Sequence, residues 1–394
     1  MNTKTHVMLG IERLVTQERR RIAGRNVGLT AHPASVDHRF IHALDLLRGA
    51  GANVTRLFGP EHGFTGEAQD MEAVDGRAIH PSGIPLISLY GATEETLAPS
   101  PADLRDLDVL IVDLQDVGAR YYTFVWTALL ALRACRAAGI EMILTDRPNP
   151  LGGASVEGAP QASGFLSFVG LKSAAVRHGM TAAEIVRMAA AEEGLSDSLT
   201  VVPMEGWRRA LWMDETDVPW VLPSPNMPTL ETATVYPGIC LIEGTEISEG
   251  RGTTRPFELV GAPGIDASRL AERLASFELP GIRFRPASFK PGFQKHAGVV
   301  CGGVQLHVTD RRSFLPYRTG VAVLLALKAE AGDAFAWRHA PYEFVTDIPA
   351  IDLLTGSDAV RTLIEQTAPL DDIAATWAEG EARFYDRRRD FLLY

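Results

Sequence analysis

Cysteine is scarce in this chain of 394 residues: Cys135, Cys240 and Cys301 are the only three, far apart along the sequence. That excludes a disulfide framework and a cysteine-rich metal centre, and places each thiol in a core. Basic residues do not dominate either. The 38 Lys and Arg face 49 Asp and Glu, a net charge of −11, which argues against a nucleic-acid partner, whose phosphates require a concentrated basic surface. No apolar run is long enough to span a membrane. Met1 to Arg25 mixes Lys4, Arg13 and Arg19-Arg20-Arg21 with short apolar pieces and lacks the core of a signal peptide. The chain therefore reads as cytoplasmic, or as periplasmic or secreted if an export signal has been trimmed.

Several motifs are missing as well. There is no phosphate loop, no His-Glu-x-x-His and no Gly-x-Ser-x-Gly. After Leu29 the chain runs Thr30-Ala31-His32-Pro33-Ala34, with no glycine where a dinucleotide pyrophosphate would approach the backbone. His32, His62, His178, His296 and His307 share no helix face at ligand spacing, so neither a metal nor a cofactor is expected.

What is present is an ordinary globular composition, 46% apolar and 22% charged, with length enough for two cores. Four apolar segments alternate with helical patterns: Asn26 to Thr30, Val54 to Phe58, Val109 to Leu114 and Glu141 to Thr145. Val109-Leu110-Ile111-Val112 is continuously apolar, as in a strand covered on both faces. Thr123 to Ala138 is helical, with Gly139 as its stop. Thr181-Ala182-Ala183-Glu184 has capping-box spacing and opens another helix, after which Thr200 to Pro203 adds a strand. Strand-helix-strand units are right-handed and parallel, which predicts an α/β fold built on a Rossmann-like, doubly wound, mostly parallel sheet. Trp220 to Pro228 is too proline-rich for helix or central strand and marks the crossing between domains. Residues 1–228 are assigned to the catalytic domain and 229–394 to a smaller α+β domain that closes the cleft. The latter shows strand alternation around Val304, Leu306 and Val308.

The chemistry gathers where strands end. Gly59-Pro60-Glu61-His62-Gly63 follows an apolar strand, in the position where open α/β sheets bind ligands, and the proline and glycines fix a carboxylate and an imidazole in a tight turn. Asp113, Gln115, Asp116, Arg120, Tyr121 and Tyr122 leave the third segment together; such groups bind sugar hydroxyls and pack on a pyranose face. The competing reading makes Asp113 a helix cap and pairs Arg120 with Asp116. Asp146 and Asn149 stand at the end of the fourth segment. Glu243 to Glu258 concentrates acids and two arginines in a glycine-rich stretch. Trp207, Trp212 and Trp220 read as core or interface aromatics before ring-stacking platforms, Trp220 being the best placed of the three for stacking.

In this order, these motifs resemble the exo-β-N-acetylmuramidase family. The resemblance covers nearly the whole chain: Gly59 to Gly63, Ser88-Leu89-Tyr90-Gly91, Asp113 to Tyr122, Asp146 to Pro150, Arg177 to Thr181, Pro223 to Pro228, Tyr236-Pro237-Gly238, Glu243 to Phe257 and Leu392-Leu393-Tyr394. It implies a glycoside hydrolase that releases N-acetylmuramic acid from the non-reducing end of peptidoglycan fragments, with Glu61 as the catalytic acid. His62 and Asp116 join it as catalytic expectations. Asp113, Gln115, Arg120, Tyr121, Tyr122, Asp146, Asn149, Asn226, Glu249 and Arg251 are the expected substrate contacts, Arg251 or Arg120 serving the lactyl carboxylate. The second catalytic group is Asp116, Asp113 or the substrate's own acetamido oxygen. Glu246 replaces a common Asn, and Ala31-His32 a common Thr-Asn. A non-catalytic wall-fragment binder and a nucleotide-dependent enzyme are the other readings. The expected partner is a peptidoglycan-derived sugar, without nucleic acid or membrane.

Overall fold

The computed structural model describes residues 4–74, 76–332 and 335–394. Seven strands, β1 (Asn26–Ala31), β2 (Asn53–Gly59), β3 (Arg77–Ile79), β4 (Pro85–Ser88), β5 (Val109–Asp113), β6 (Glu141–Thr145) and β7 (Leu199–Val202), form one sheet in the order β3-β4-β2-β1-β5-β6-β7. Every neighbouring pair is parallel except β3 with β4. Without that antiparallel edge strand, the parallel strands follow the doubly wound order, and the winding reverses between β1 and β5. The expected four strands and the added β7 are all present. β3 and β4 were not anticipated, since Arg77–Ile79 is exposed throughout and carries no alternation.

Burial explains the centre of the sheet. All five residues of β5 are buried, the consequence of its unbroken apolar run. The helix Phe124–Ala138 ends at Gly139 in the left-handed conformation, φ 70°, as its stop signal requires. Thr181 accepts from the Glu184 backbone and Glu184 from that of Thr181, closing the capping box of the helix Ala182–Glu192.

The second part carries β8 (Leu259–Ala262), β9 (Ile282–Phe289) and β10 (Cys301–Val308) in an antiparallel sheet ordered β8-β10-β9. The fold is thus α/β with a smaller α+β part. A single buried apolar cluster runs from Leu110 and Leu132 beneath the large sheet to Leu306 and Leu327 beneath the small one. Two helices of the second part, Leu230–Ile239 and Pro316–Ala331, touch through glycines: a Cβ on Gly238 would lie 1.8 Å from the Pro316 carbonyl oxygen. Tyr236, two positions before Gly238 on the same helix, lines the functional pocket.

The C-terminus returns to the large sheet. Tyr394 donates its hydroxyl to Asp146 Oδ2 at 2.8 Å and packs edge-on against Trp207. Cys135, Cys240 and Cys301 are buried and free. Among the described residues no helix is long and apolar enough to cross a membrane.

Candidate active site

Glu61 is carried at the exit of β2, next to Gly59, where a Cβ would lie 2.5 Å from the Phe64 backbone nitrogen. Only glycine lets the turn fold back this tightly. Glu61 is 5% exposed, and Thr123 Oγ1 donates to its Oε2 at 2.6 Å. His62 follows with a positive φ of 69°, its Nδ1–H donating to the Ala68 carbonyl at 2.9 Å. A β2 exit is thereby locked to the start of the helix after β5, beside the point where the sheet's winding reverses.

Both halves of the molecule wall the pocket around Glu61. Tyr121, Tyr122 and Thr123 come from the β5 exit, Ser224, Asn226 and Met227 from the proline-rich crossing, and Tyr236, Glu243, Arg251, Phe257, Tyr342 and Glu343 from the second part. Tyr236 meets Tyr121, Tyr122 and Phe257 edge-on, with ring centroids 5.6, 5.9 and 4.8 Å away. Burial pushes the Tyr122, Tyr236 and Tyr342 phenols well up, so they remain neutral donors.

Arg251 is the cation of the pocket. Its guanidinium meets Glu243 at 2.7 Å, Asp70 at 3.2 Å and Glu249 at 3.5 Å, and lies over the Phe257 ring at 5.0 Å. Lys295 takes the other side of Glu249 at 2.9 Å. Burial raises Asp70; Arg251 opposes that rise and the nearby Glu61 adds to it. Burial, then Glu61 and Asp70, raise Glu343 well above the usual carboxylate range.

Six of the thirteen sequence-predicted site residues line this pocket: Glu61, His62, Tyr121, Tyr122, Asn226 and Arg251. The other seven are placed elsewhere, for physical reasons. Asp113 is fully buried in a two-pronged pair with Arg147, at 2.9 and 2.6 Å, and accepts from Thr145. Gln115 donates to the Asp116 and Pro148 carbonyls. Asp116 accepts from Gly118 N at 2.7 Å and faces His178 Nε2 at 3.4 Å beneath the site. Arg120, wholly buried, donates to the carbonyls of Ala159, Ala174 and Leu354 and pairs with no carboxylate among the described residues. Asp146 is consumed by Thr181, Ala183 and Tyr394, and Asn149 by Met180 and Leu151. Glu249 stands behind Arg251, against Lys295. Tyr121 lines the wall with its ring, but its hydroxyl donates to the Pro237 carbonyl.

Among the described residues, two groups bring three ligand-type atoms within 4.8 Å of one another: Glu61 with Asp70 and Glu343, and His6 with His38 and Asp217. In the first, Arg251 already compensates Asp70, and buried carboxyls this close take up protons instead of all ionising. In the second, the His38 ring lies between Glu12 at 2.8 Å and Asp217 at 3.0 Å. A doubly protonated imidazole satisfies both.

The sequence departures fall outside the pocket. Glu246 is exposed. His32 is buried and bridges the β1 exit to the crossing segment, Nε2 accepting from Gln115 N and Nδ1 facing the Pro223 carbonyl.

Residues 27–231 match the N-terminal domain, and residues 234–394 the C-terminal domain, of exo-beta-N-acetylmuramidase NamZ. The chain belongs to the exo-β-N-acetylmuramidase family. It is 41% identical, over 99% of its own length and 92% of the relative's, to the peptidoglycan beta-N-acetylmuramidase NamZ of Bacillus subtilis strain 168. Two crystal structures of DUF1343-family proteins from Bacteroides fragilis are similar. One is 31% identical with a TM-score of 0.87, over 100% of both chains; the other is 28% identical with a TM-score of 0.76, over 99% of both.

Asp70, Val169, Tyr342 and Glu343 are pocket residues of this exo-β-N-acetylmuramidase family member that lay outside every motif singled out in the sequence. Asp70 follows Glu61 in the same loop. Tyr342 and Glu343 arrive only through tertiary packing, and no local spacing announces them.

Proposed function

We propose that this protein is an exo-acting glycoside hydrolase that releases N-acetylmuramic acid from the non-reducing end of peptidoglycan fragments, with Glu61 as general acid. The observation that carries the reading is the placement of Glu61: 5% exposed, gripped by Thr123, and set where both halves of the molecule meet. A shielded carboxyl held by a single hydroxyl donor is suited to deliver a proton to a departing sugar oxygen. The 41% identity to a protein named for this activity supports the same reading.

The side chains around Glu61 enclose a cavity of only about 30 Å³, room for roughly two waters, so a sugar enters only once a wall moves back. The neutral phenols Tyr122 and Tyr236 offer donors to hydroxyl and amide oxygens. Arg251 is the group suited to a lactyl carboxylate, which would take the place Asp70 holds before it. The mechanism uses no metal.

The test is Glu61→Gln on an unactivated disaccharide with N-acetylmuramic acid at its non-reducing end. Loss of roughly a hundredfold or more in turnover is expected. Near-normal turnover rejects the assignment, and a wild-type protein that binds the disaccharide without cleaving it establishes a binder instead.

A further inference from the structure

Besides Glu61, three acids line the pocket: Asp70, Glu243 and Glu343. Arg251 pairs with the first two, and Glu243 also accepts from the Tyr342 hydroxyl at 2.7 Å. Glu343 differs. Among the described residues no Lys or Arg pairs with it, and its hydrogen bond comes from the neutral Tyr90 hydroxyl at 3.0 Å.

The backbone around Glu343 is built at a cost. Tyr342 and Val345 exchange hydrogen bonds at 3.0 and 2.9 Å, and the two residues between them, Glu343 and Phe344, both have positive φ, 45° and 68°. A turn of this kind favours Asn-Gly; a Glu-Phe pair enters it only when its surroundings compel it. Those surroundings are visible on both sides. The Tyr342 hydroxyl is fixed on Glu243, and the Phe344 ring packs at 5.7 Å from Tyr90 and 6.5 Å from Phe168. The strained tip therefore carries an acid into the pocket from the opposite half of the molecule to Glu61. The Tyr122 hydroxyl, in a residue 6% exposed, lines the same pocket beside Ser224 and makes no well-aligned hydrogen bond among the described residues, which leaves a buried donor for a bound ligand.

We propose that Glu343 is the proton-sharing partner of Glu61, the two carboxyl groups holding one proton between them in the free enzyme; the inference rests on Glu61 being the acid. Their oxygens, with one of Asp70, lie within 4.8 Å of one another, and at such range the charge on one buried carboxyl opposes ionisation of the other. The other titratable groups facing the pair are Asp70 and His62 from the Glu61 loop, Tyr90 and Tyr122, and Glu243, whose charge Arg251 offsets along with that of Asp70. Glu343 acts through Glu61 and is a positioning residue for the proton.

The proton passes from the pair to the glycosidic oxygen as the bond from the sugar's anomeric carbon breaks and its electrons go to that oxygen. The pair changes from one negative charge to two while the sugar becomes oxocarbenium-like, so the acid, once spent, stabilises the cation it has produced. Water then bonds to the anomeric carbon and returns one proton to the pair. One glycosidic bond and one water are consumed, and the enzyme ends as it began.

The experiment is the pH profile of kcat/KM on the unactivated disaccharide, over about pH 4 to 9, for the full chain and two variants. Glu343→Gln removes a like charge beside Glu61, so the alkaline limb moves down by about one pH unit or more, while activity at the acid end stays within roughly tenfold of wild type. Tyr90→Phe removes a donor that favours the ionised form of Glu343, so the same limb moves up. Opposite displacements establish proton sharing; a limb that stays put in both folded variants overturns it. Should Glu343→Gln fail to fold, Tyr90→Phe decides alone, and an unmoved limb there is again fatal. Failure of the underlying reading is distinct: full activity in Glu61→Gln removes the acid itself, whereas a dead Glu61→Gln with unmoved limbs rejects only the sharing.

Discussion

Thr123 donates its hydroxyl to Glu61 at 2.6 Å, and this bond joins the N-cap of the Phe124–Ala138 helix to the turn after β2. Thr123 caps nothing with its side chain, so the hydroxyl is spent wholly on Glu61. Thr123→Val keeps the shape and removes the donor. A hydrogen bond to a carboxylate is worth about 1.5–3 kcal/mol, and turnover on the disaccharide should fall roughly ten- to a hundredfold with the circular dichroism spectrum unchanged. Wild-type turnover would show that Glu61 needs no such tether.

Arg251 and Arg120 were equivalent in the sequence and are not equivalent in the fold. Arg251→Lys keeps the charge among Glu243, Asp70 and Glu249 but loses the planar fork. Its KM should rise about tenfold or more for an N-acetylmuramide and little for an N-acetylglucosaminide, which lacks the lactyl carboxylate. Arg120→Met strips the cap from three buried carbonyls and should cost about 2–4 kcal/mol of stability, with no change in that preference. A preference altered by Arg120→Met, and not by Arg251→Lys, would reverse the two roles.

What could be read from the sequence was local. The unbroken apolar run of β5, the stop at Gly139 and the capping box at Thr181 each declare themselves within a few residues, and so does the Glu61 turn. Arg120 misleads for the opposite reason: a guanidinium satisfied by backbone carbonyls looks, in sequence, like one awaiting a carboxylate. Asp113 and Asp116 behave alike, since Arg147 and His178, their partners, lie 34 and 62 positions onward. Glu343 is the extreme case. It is 282 positions from Glu61, and only the packing of the two halves brings them together.

The proton-based reading of the carboxylate cluster extends to metal removal. Dialysis against a strong chelator should leave activity on the disaccharide unchanged, because Arg251 and shared protons already balance Asp70, Glu243 and Glu343. Loss of activity that calcium or magnesium restores would mean that the Glu61, Asp70 and Glu343 oxygens gather around a hard cation instead.

Stability should also depend on buried acids outside the pocket. Burial pushes Glu157 up to about 7, with the Arg318 backbone and Arg177 opposing, and Asp146 likewise to about 7. A carboxyl raised in the folded state binds more protons there than in the unfolded chain. Its contribution is present below the unfolded value, near about 4.3 for Glu, and is lost as pH rises through about 7. The melting temperature should therefore fall between pH 5 and pH 8, and Glu157→Gln should shrink that fall. A difference as large in the variant as in wild type would acquit Glu157.

Gly238 offers the sharpest test of how the second part seats the pocket. Its Cα lies so near the Pro316–Ala331 helix that an added Cβ would stand 1.8 Å from the Pro316 carbonyl oxygen, a backbone atom that no rotamer change can move. Gly238→Ala must therefore push the two helices apart, at a cost of about 1–3 kcal/mol in the unfolding free energy measured in urea. Tyr236 lies two positions earlier on the displaced helix and lines the pocket with its ring, so turnover should drop with stability. If the alanine variant lost stability alone and kept its kcat, the aromatic wall would tolerate displacement, and the helix contact would serve the fold and not the site.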